Sequence, residues 1–125
     1  MTVLYAEDDL MVRELLCAKL SVNQFRVVEA ASGDEALPLL RGGGIEVLIT
    51  DISMPGTLDG WALAEQARQF DPDIGVVYVS SGPADAQRQV GNSVYLRKPF
   101  HPDAVLAAVR QLKSRASEAG EELNP

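Results

Sequence analysis

Apolar residues in this chain gather in short runs separated by longer stretches with helical spacing. The runs fall at residues 3–6, 27–30, 47–50, 76–79 and 94–96, are rich in Val, Ile and Tyr, and predict five strands. Between the first two, Val12, Leu15, Leu16 and Leu20 recur at intervals of three and four, predicting one apolar helix face. Ser32 followed by Asp34 and Glu35 reads as an N-cap with an acidic first turn, and Gly42, Gly43 and Gly44 read as the stop of that helix. Pro38 inside it removes a backbone donor, so a short or irregular helix is expected. Asp59 is placed to cap a third helix with Leu63, Ala64, Ala67 and Phe70 inward; Trp61, two positions before that stripe, should be partly exposed. Pro102 suits a helix start and precedes Val105, Leu106, Val109 and Leu112. Past Lys113 the sequence turns polar and should fray, which suggests one domain over residues 1–116 and a polar tail over 117–125.

Strands alternating with helices imply crossover units and a parallel sheet covered on both faces, an α/β doubly wound fold. Strands in such a sheet are apolar along their length, as these are. Ligands bind outside the carboxyl ends of the strands. At those ends stand Glu7, Asp8 and Asp9, then Asp51, then Ser80 and Ser81, then Arg97 and Lys98. Glu7, Asp8 and Asp51 packed together would repel unless a cation sat among them, and a hard divalent ion, Mg²⁺ above all, fits oxygen donors. Asp51 then has a task as the nucleophile that forms an aspartyl phosphate. Lys98 supplies a point charge for a phosphoryl oxygen and the Ser80 hydroxyl a hydrogen bond, while Ser81 should point to the opposite face.

Each residue also has an ordinary reading. Acidic residues after a first strand often only cap the next helix. Serines are common at strand ends, and Tyr95 suits an edge strand without any switching role. Cys17 reads as a small core residue rather than a reactive thiol. His101, beside Pro102, reads as a cap or surface residue rather than a phosphoryl carrier. It is the combination of Glu7, Asp8, Asp51 and Lys98 in register that favours a site.

Composition narrows the classes. The chain has 125 residues, 46% hydrophobic and 23% charged, which suits one folded domain. A net charge of −7 without a basic cluster disfavours direct nucleic-acid binding. No apolar run reaches membrane-span length and the N-terminus has no secretory pattern. A single cysteine excludes an internal disulfide and any multi-cysteine metal site, and a cytoplasmic setting is the default expectation.

Taken in order, VLYAEDD, LITDISMPGTLDG, VVYVSSG and VYLRKPF resemble the receiver domain of two-component response regulators, over roughly residues 2–112. The resemblance implies a five-stranded sheet of order 2-1-3-4-5. It implies Mg²⁺-dependent (or Mn²⁺-dependent) transfer of phosphate from a histidine kinase or histidine phosphotransfer protein to one aspartate. Asp51 would be the phosphoacceptor and Asp8 a direct metal ligand. Glu7 would act largely through a metal-bound water, and Ser53 would lend its backbone carbonyl. Ser80 matches the switch hydroxyl, Lys98 the phosphoryl-binding lysine and Tyr95 the aromatic switch. A cis Lys98–Pro99 bond is implied too. The chain would be a regulatory phosphoacceptor rather than an enzyme acting on other substrates, a monomer or weak phosphorylation-dependent dimer, switching an unknown downstream protein.

Two departures stand out. MPGTLDG is one residue longer than the commonest form, which should reshape the loop over the site. Only seventeen residues lie between Ser80 and Lys98, so the fourth helix, beginning near Pro83, should be short or partly unwound. Three rivals are weaker. A flavin-mononucleotide carrier needs a Ser/Thr/Gly-rich phosphate loop where Glu7, Asp8 and Asp9 stand. A phosphatase like the haloacid dehalogenases carries its nucleophile on the first strand. A degenerate receiver would not need the intact acidic pair, aspartate and lysine. The start at Met1, almost directly on the first strand, leads us to expect a stand-alone protein or an N-terminal module.

Overall fold

The structure is a computed structural model that describes the backbone of residues 1–123 and the side chains of residues 1–112. Five strands appear where the apolar runs predict them: β1 (Thr2–Ala6), β2 (Arg26–Ala30), β3 (Val47–Asp51), β4 (Gly75–Ser80) and β5 (Ser93–Arg97). All pair in parallel, in the order β2-β1-β3-β4-β5. Among the described residues, four helices flank the sheet: α1 (Leu10–Val22), α2 (Gly33–Arg41), α3 (Gly60–Phe70) and α4 (Pro102–Leu123).

Alternation along each strand divides the core in two, because successive side chains leave opposite faces. Leu4, Leu48, Val76 and Tyr78 meet Ala36 and Leu40 of α2 and Leu63, Ala64 and Ala67 of α3. On the other face, Val3, Tyr5, Ile49, Val77 and Val79 meet Leu16 and Leu20 of α1 and Val105, Val109 and Leu112 of α4. The central strands β3 and β4 are buried along their whole length, which is why they carry almost no polar residues until their last positions.

The predicted caps form. Ser32 Oγ accepts the N–H of Glu35 at 3.1 Å and Asp59 Oδ1 accepts that of Ala62 at 2.8 Å. α2 runs through Pro38 but is only nine residues long, as expected of a helix with an interior proline. His101 Nδ1 accepts the N–H of Asp103 at the start of α4, the capping role expected of it.

The fourth helix, expected to be short or partly unwound, is a single turn at residues 85–89, where the N–H groups of Arg88 and Gln89 both reach the Asp85 carbonyl, at 3.1 and 2.9 Å. Other expectations need correcting. Leu15 is not on the buried face of α1: it is 69% exposed, because Leu16 and Leu20 set the inward line and Leu15 lies a residue off it. Phe70 is exposed at the end of α3, with the Arg41 guanidinium 5.7 Å over its ring. Trp61, expected to be partly exposed, is buried, its ring 4.7 Å from that of Tyr78 and stacked 6.0 Å from that of Tyr95. The backbone of α4 is helical to Leu123, past the point where polar composition predicts fraying; Ala, Glu and Arg there are good helix formers. The last two residues of the expected 117–125 tail lie outside the described residues.

Candidate functional site

β1 delivers Glu7 to the carboxyl edge of the sheet and the chain fixes it from both sides. Its N–H extends the β1–β2 ladder to the Ala30 carbonyl at 3.0 Å, and its own carbonyl accepts Arg13 Nη1 at 2.6 Å. Arg13 also pairs with Glu29 at 3.1 Å, so it straps α1 across β1 to β2. The three consecutive acids then divide their work. Glu7 is fully buried, Asp8 is exposed, and Asp9 caps α1 by accepting the N–H groups of Met11 and Val12.

Asp51 ends β3 and is almost buried, 6% exposed. Its backbone is held by a close approach. Gly60, first residue of α3, donates its N–H to the Ile52 carbonyl at 2.8 Å, and a Cβ at Gly60 would collide with the Asp51 carbonyl oxygen. Only glycine lets the helix start this near the strand end.

Lys98 follows β5, its N–H continuing the ladder to the Ser80 carbonyl at 2.8 Å, with a cis peptide bond to Pro99 as the resemblance implies. Its Nζ lies 2.7 Å from Asp51 Oδ2 and 3.1 Å from Glu7 Oε1. Burial pulls this ammonium's pKa down, but its hydrogen bonds to Asp51 and Glu7 outweigh that and leave it raised.

Glu7, Asp8 and Asp51 each place one carboxylate oxygen within 4.8 Å of the others. One ammonium does not balance three carboxylates. Burial, reinforced by the neighbouring Asp51, pushes Glu7 up to about 7, with Lys98 opposing. Glu7 Oε2 is buried without a hydrogen-bond partner among the described residues. An all-oxygen donor set with one unmet buried oxygen fits a hard divalent cation.

Ser80 ends β4, opposite Arg97 in register, and is buried. Its Oγ accepts the N–H of Gly82 at 3.1 Å, while the Tyr95 hydroxyl donates to the carbonyl of the same Gly82. Ser81 faces the other way, as expected, lining a cavity of about 550 Å³ with Val12, Leu15 and Phe100. Ser53 is exposed in the loop two residues past Asp51. Cys17 is partly buried against the α1–α4 side of the core, and burial raises its thiol to about 12, consistent with an inert packing residue.

Sequence reasoning did not single out Arg13 or Gly60, nor the role of Asp34 toward the 52–58 loop. Gly60 was legible in principle, since a glycine directly after a capping aspartate is a poor helix residue without a steric reason. The partners of Arg13 and Asp34 are distant in sequence and left no local signal.

These features can be compared with known proteins. The family model of the response regulator receiver domain matches residues 3–110. The chain is 33% identical over 119 residues to the response regulator MprA of Mycobacterium sp. (strain KMS), covering 92% of this chain and 51% of that protein. A solved response regulator receiver protein from Sinorhizobium medicae superposes with a TM-score of 0.89 at 33% identity, covering 93% of this chain and 96% of that one. The response regulator TrrA of Thermotoga maritima, solved in complex with Mg²⁺-BeF, gives a TM-score of 0.79 at 26% identity, covering 89% and 97%. With an acidic trio that includes the strand-end aspartate, and a lysine beside it, on the expected sheet, this chain belongs to the response regulator receiver family of two-component signalling. It spans about half the length of the curated relatives it matches.

Proposed function

We propose that this receiver accepts a phosphoryl group on Asp51 from a histidine kinase or histidine phosphotransfer protein, and that the product changes which protein it binds. The observation that carries this reading is Lys98 Nζ at 2.7 Å from Asp51, beside three carboxylate oxygens within 4.8 Å of one another. Glu7, Asp8, Asp51 and the Ser53 carbonyl would hold Mg²⁺, or Mn²⁺ in its place. When bound, the cation neutralises charge on the incoming phosphoryl group. The structure of TrrA with Mg²⁺-BeF supports this by likeness.

The chain's own groups do the positioning. β3 and Gly60 hold Asp51 fixed, so its carboxylate oxygen meets the phosphorus in line without first having to be ordered. Lys98 then exchanges its bond to Asp51 for one to a phosphoryl oxygen. The Ser80 hydroxyl, now occupied by the Gly82 N–H, turns to donate to another phosphoryl oxygen. That frees the N–H side of Gly82, the residue whose carbonyl on its other side holds Tyr95, which is how the site would reach the surface around β5. Asp51 is both nucleophile and eventual leaving group, so the domain acts on itself and not on a separate substrate. By this reading it works in the cytoplasm, without direct nucleic-acid or membrane contact, as a monomer or a weak phosphorylation-dependent dimer.

The test is intact mass after incubation with Mg²⁺ and acetyl phosphate, beside Asp51→Asn and a chelator control. One added phosphate in the wild type alone, lost on chelation, is the expected result. Absence of both the adduct and any beryllofluoride binding would leave a receiver-shaped binding module, the degenerate alternative.

A further inference from the structure

We propose that Asp34, on the first turn of α2, is a positioning residue for the Asp51 site: its carboxylate holds the lengthened loop of residues 52–58 in the shape that the divalent cation requires. The inference rests on the phosphoacceptor reading above and adds a part that reading did not include.

The loop leaves β3 at Asp51 and returns to α3 at Asp59. Its start is fixed by the bond from Gly60 to the Ile52 carbonyl, and its end by the Asp59 cap. Between these points a loop with one extra residue needs another anchor, and Asp34 supplies it. Asp34 Oδ1 accepts the Thr57 hydroxyl at 2.8 Å and the Leu58 N–H at 3.2 Å, while Oδ2 accepts the Thr57 N–H at 3.1 Å. Both oxygens are therefore engaged by two consecutive residues of the loop.

Two glycines make the approach possible. Gly56 has φ of +101°, and a Cβ on it would lie 2.6 Å from Asp34 Oδ2. A Cβ on Gly33 would lie 2.7 Å from the Leu58 carbonyl oxygen, so the first turn of α2 sits directly on the loop. An acidic residue in a helix's first turn is favoured by the helix dipole wherever its side chain points. Asp34 gains that and still spends its whole carboxylate on the loop. The hydrogen bonds from Thr57 lower its pKa, so it stays ionised and accepting at neutral pH.

The link to the site is Ser53, in the same loop and proposed to give its backbone carbonyl to the cation. A backbone ligand has no side-chain torsions with which to adjust; its aim is set by where the chain is fixed on either side. Asp34 fixes the far side. Groups that orient metal ligands in this way commonly matter by about 10–100-fold in metal affinity.

The experiment is a calorimetric titration of the full chain with Mg²⁺ alone, for the wild type, Asp34→Ala, Asp34→Asn and Thr57→Val, with the metal-free melting temperature of each. Asp34→Ala should weaken Mg²⁺ binding about tenfold with little change in metal-free melting temperature. Asp34→Asn, which keeps one acceptor oxygen, should recover part of the loss, and Thr57→Val should lose less than Asp34→Ala. Wild-type affinity in Asp34→Ala, or a loss that only accompanies unfolding of the metal-free protein, would overturn the role of Asp34. A wild type that binds no Mg²⁺ would instead remove the phosphoacceptor reading, and the positioning role with it.

Discussion

Two connections border the acidic edge of the sheet, and they depart from the usual receiver lengths in opposite directions. Residues 52–59, between β3 and α3, are longer; residues 81–92, between β4 and β5, are shorter and have lost their helix. The long connection is held by a carboxylate from α2 and by glycines that let backbones touch. The short one is held by the sheet's own tyrosines. Tyr78 Oη accepts the Val90 N–H at 3.2 Å and Tyr95 donates to Gly82. Arg88 adds ion pairs to Asp59 and Glu65 of the neighbouring loop and helix. Neither departure disturbs the side chains at the strand ends, because ladder register fixes them: Asp51 opposes Val79, and Ser80 opposes Arg97 just before Lys98. Length changes are absorbed where the chain leaves the sheet, and each side has its own fastening.

The contrast can be broken most severely at Trp61, which packs on the two tyrosines that hold the short connection. Its ring lies against Tyr78 and Tyr95, so Trp61→Ala should cost about 3–5 kcal/mol and free both tyrosines, read as a lowered denaturant midpoint. A smaller effect of opposite sign is expected at Glu7, which belongs to neither connection. Its pKa is near 7 in the folded protein against an ordinary value of 4.5, so the folded state holds the proton longer and metal-free stability falls as pH rises through that window. Glu7→Gln removes the penalty. It should match the wild type near pH 4 and exceed it by about 1–3 kcal/mol at pH 8, measured by urea unfolding in chelator, while losing Mg²⁺ binding. The smallest effect is expected at Arg88, whose ion pairs are exposed. Arg88→Ala should leave the melting temperature nearly unchanged and speed amide exchange at residues 85–92.

What the sequence made legible follows the same division. β3 and β4 were readable because burial on both faces leaves an unbroken apolar run, and the site was readable because the fold rule places strand ends together. Trp61 was misjudged because helical periodicity compares a residue only with its own helix. Its burial comes from Tyr78 and Tyr95, seventeen and thirty-four positions away. Leu15 was misplaced for the related reason that a three-four spacing admits two adjacent lines on a helix, and only the sheet beneath α1 selects one. The clasp at Asp34 was invisible because an acidic first turn already has a sufficient local explanation.

One last consequence comes from Gly82. Ser80 holds its N–H and Tyr95 holds its carbonyl, and N–H and C=O groups that flank one glycine share that glycine's two torsions. What the two hydroxyls share is their anchor, so a displacement of Gly82 as a whole is felt at both. A twist between the two bonds is absorbed instead, because a residue with no side chain leaves both torsions free to turn.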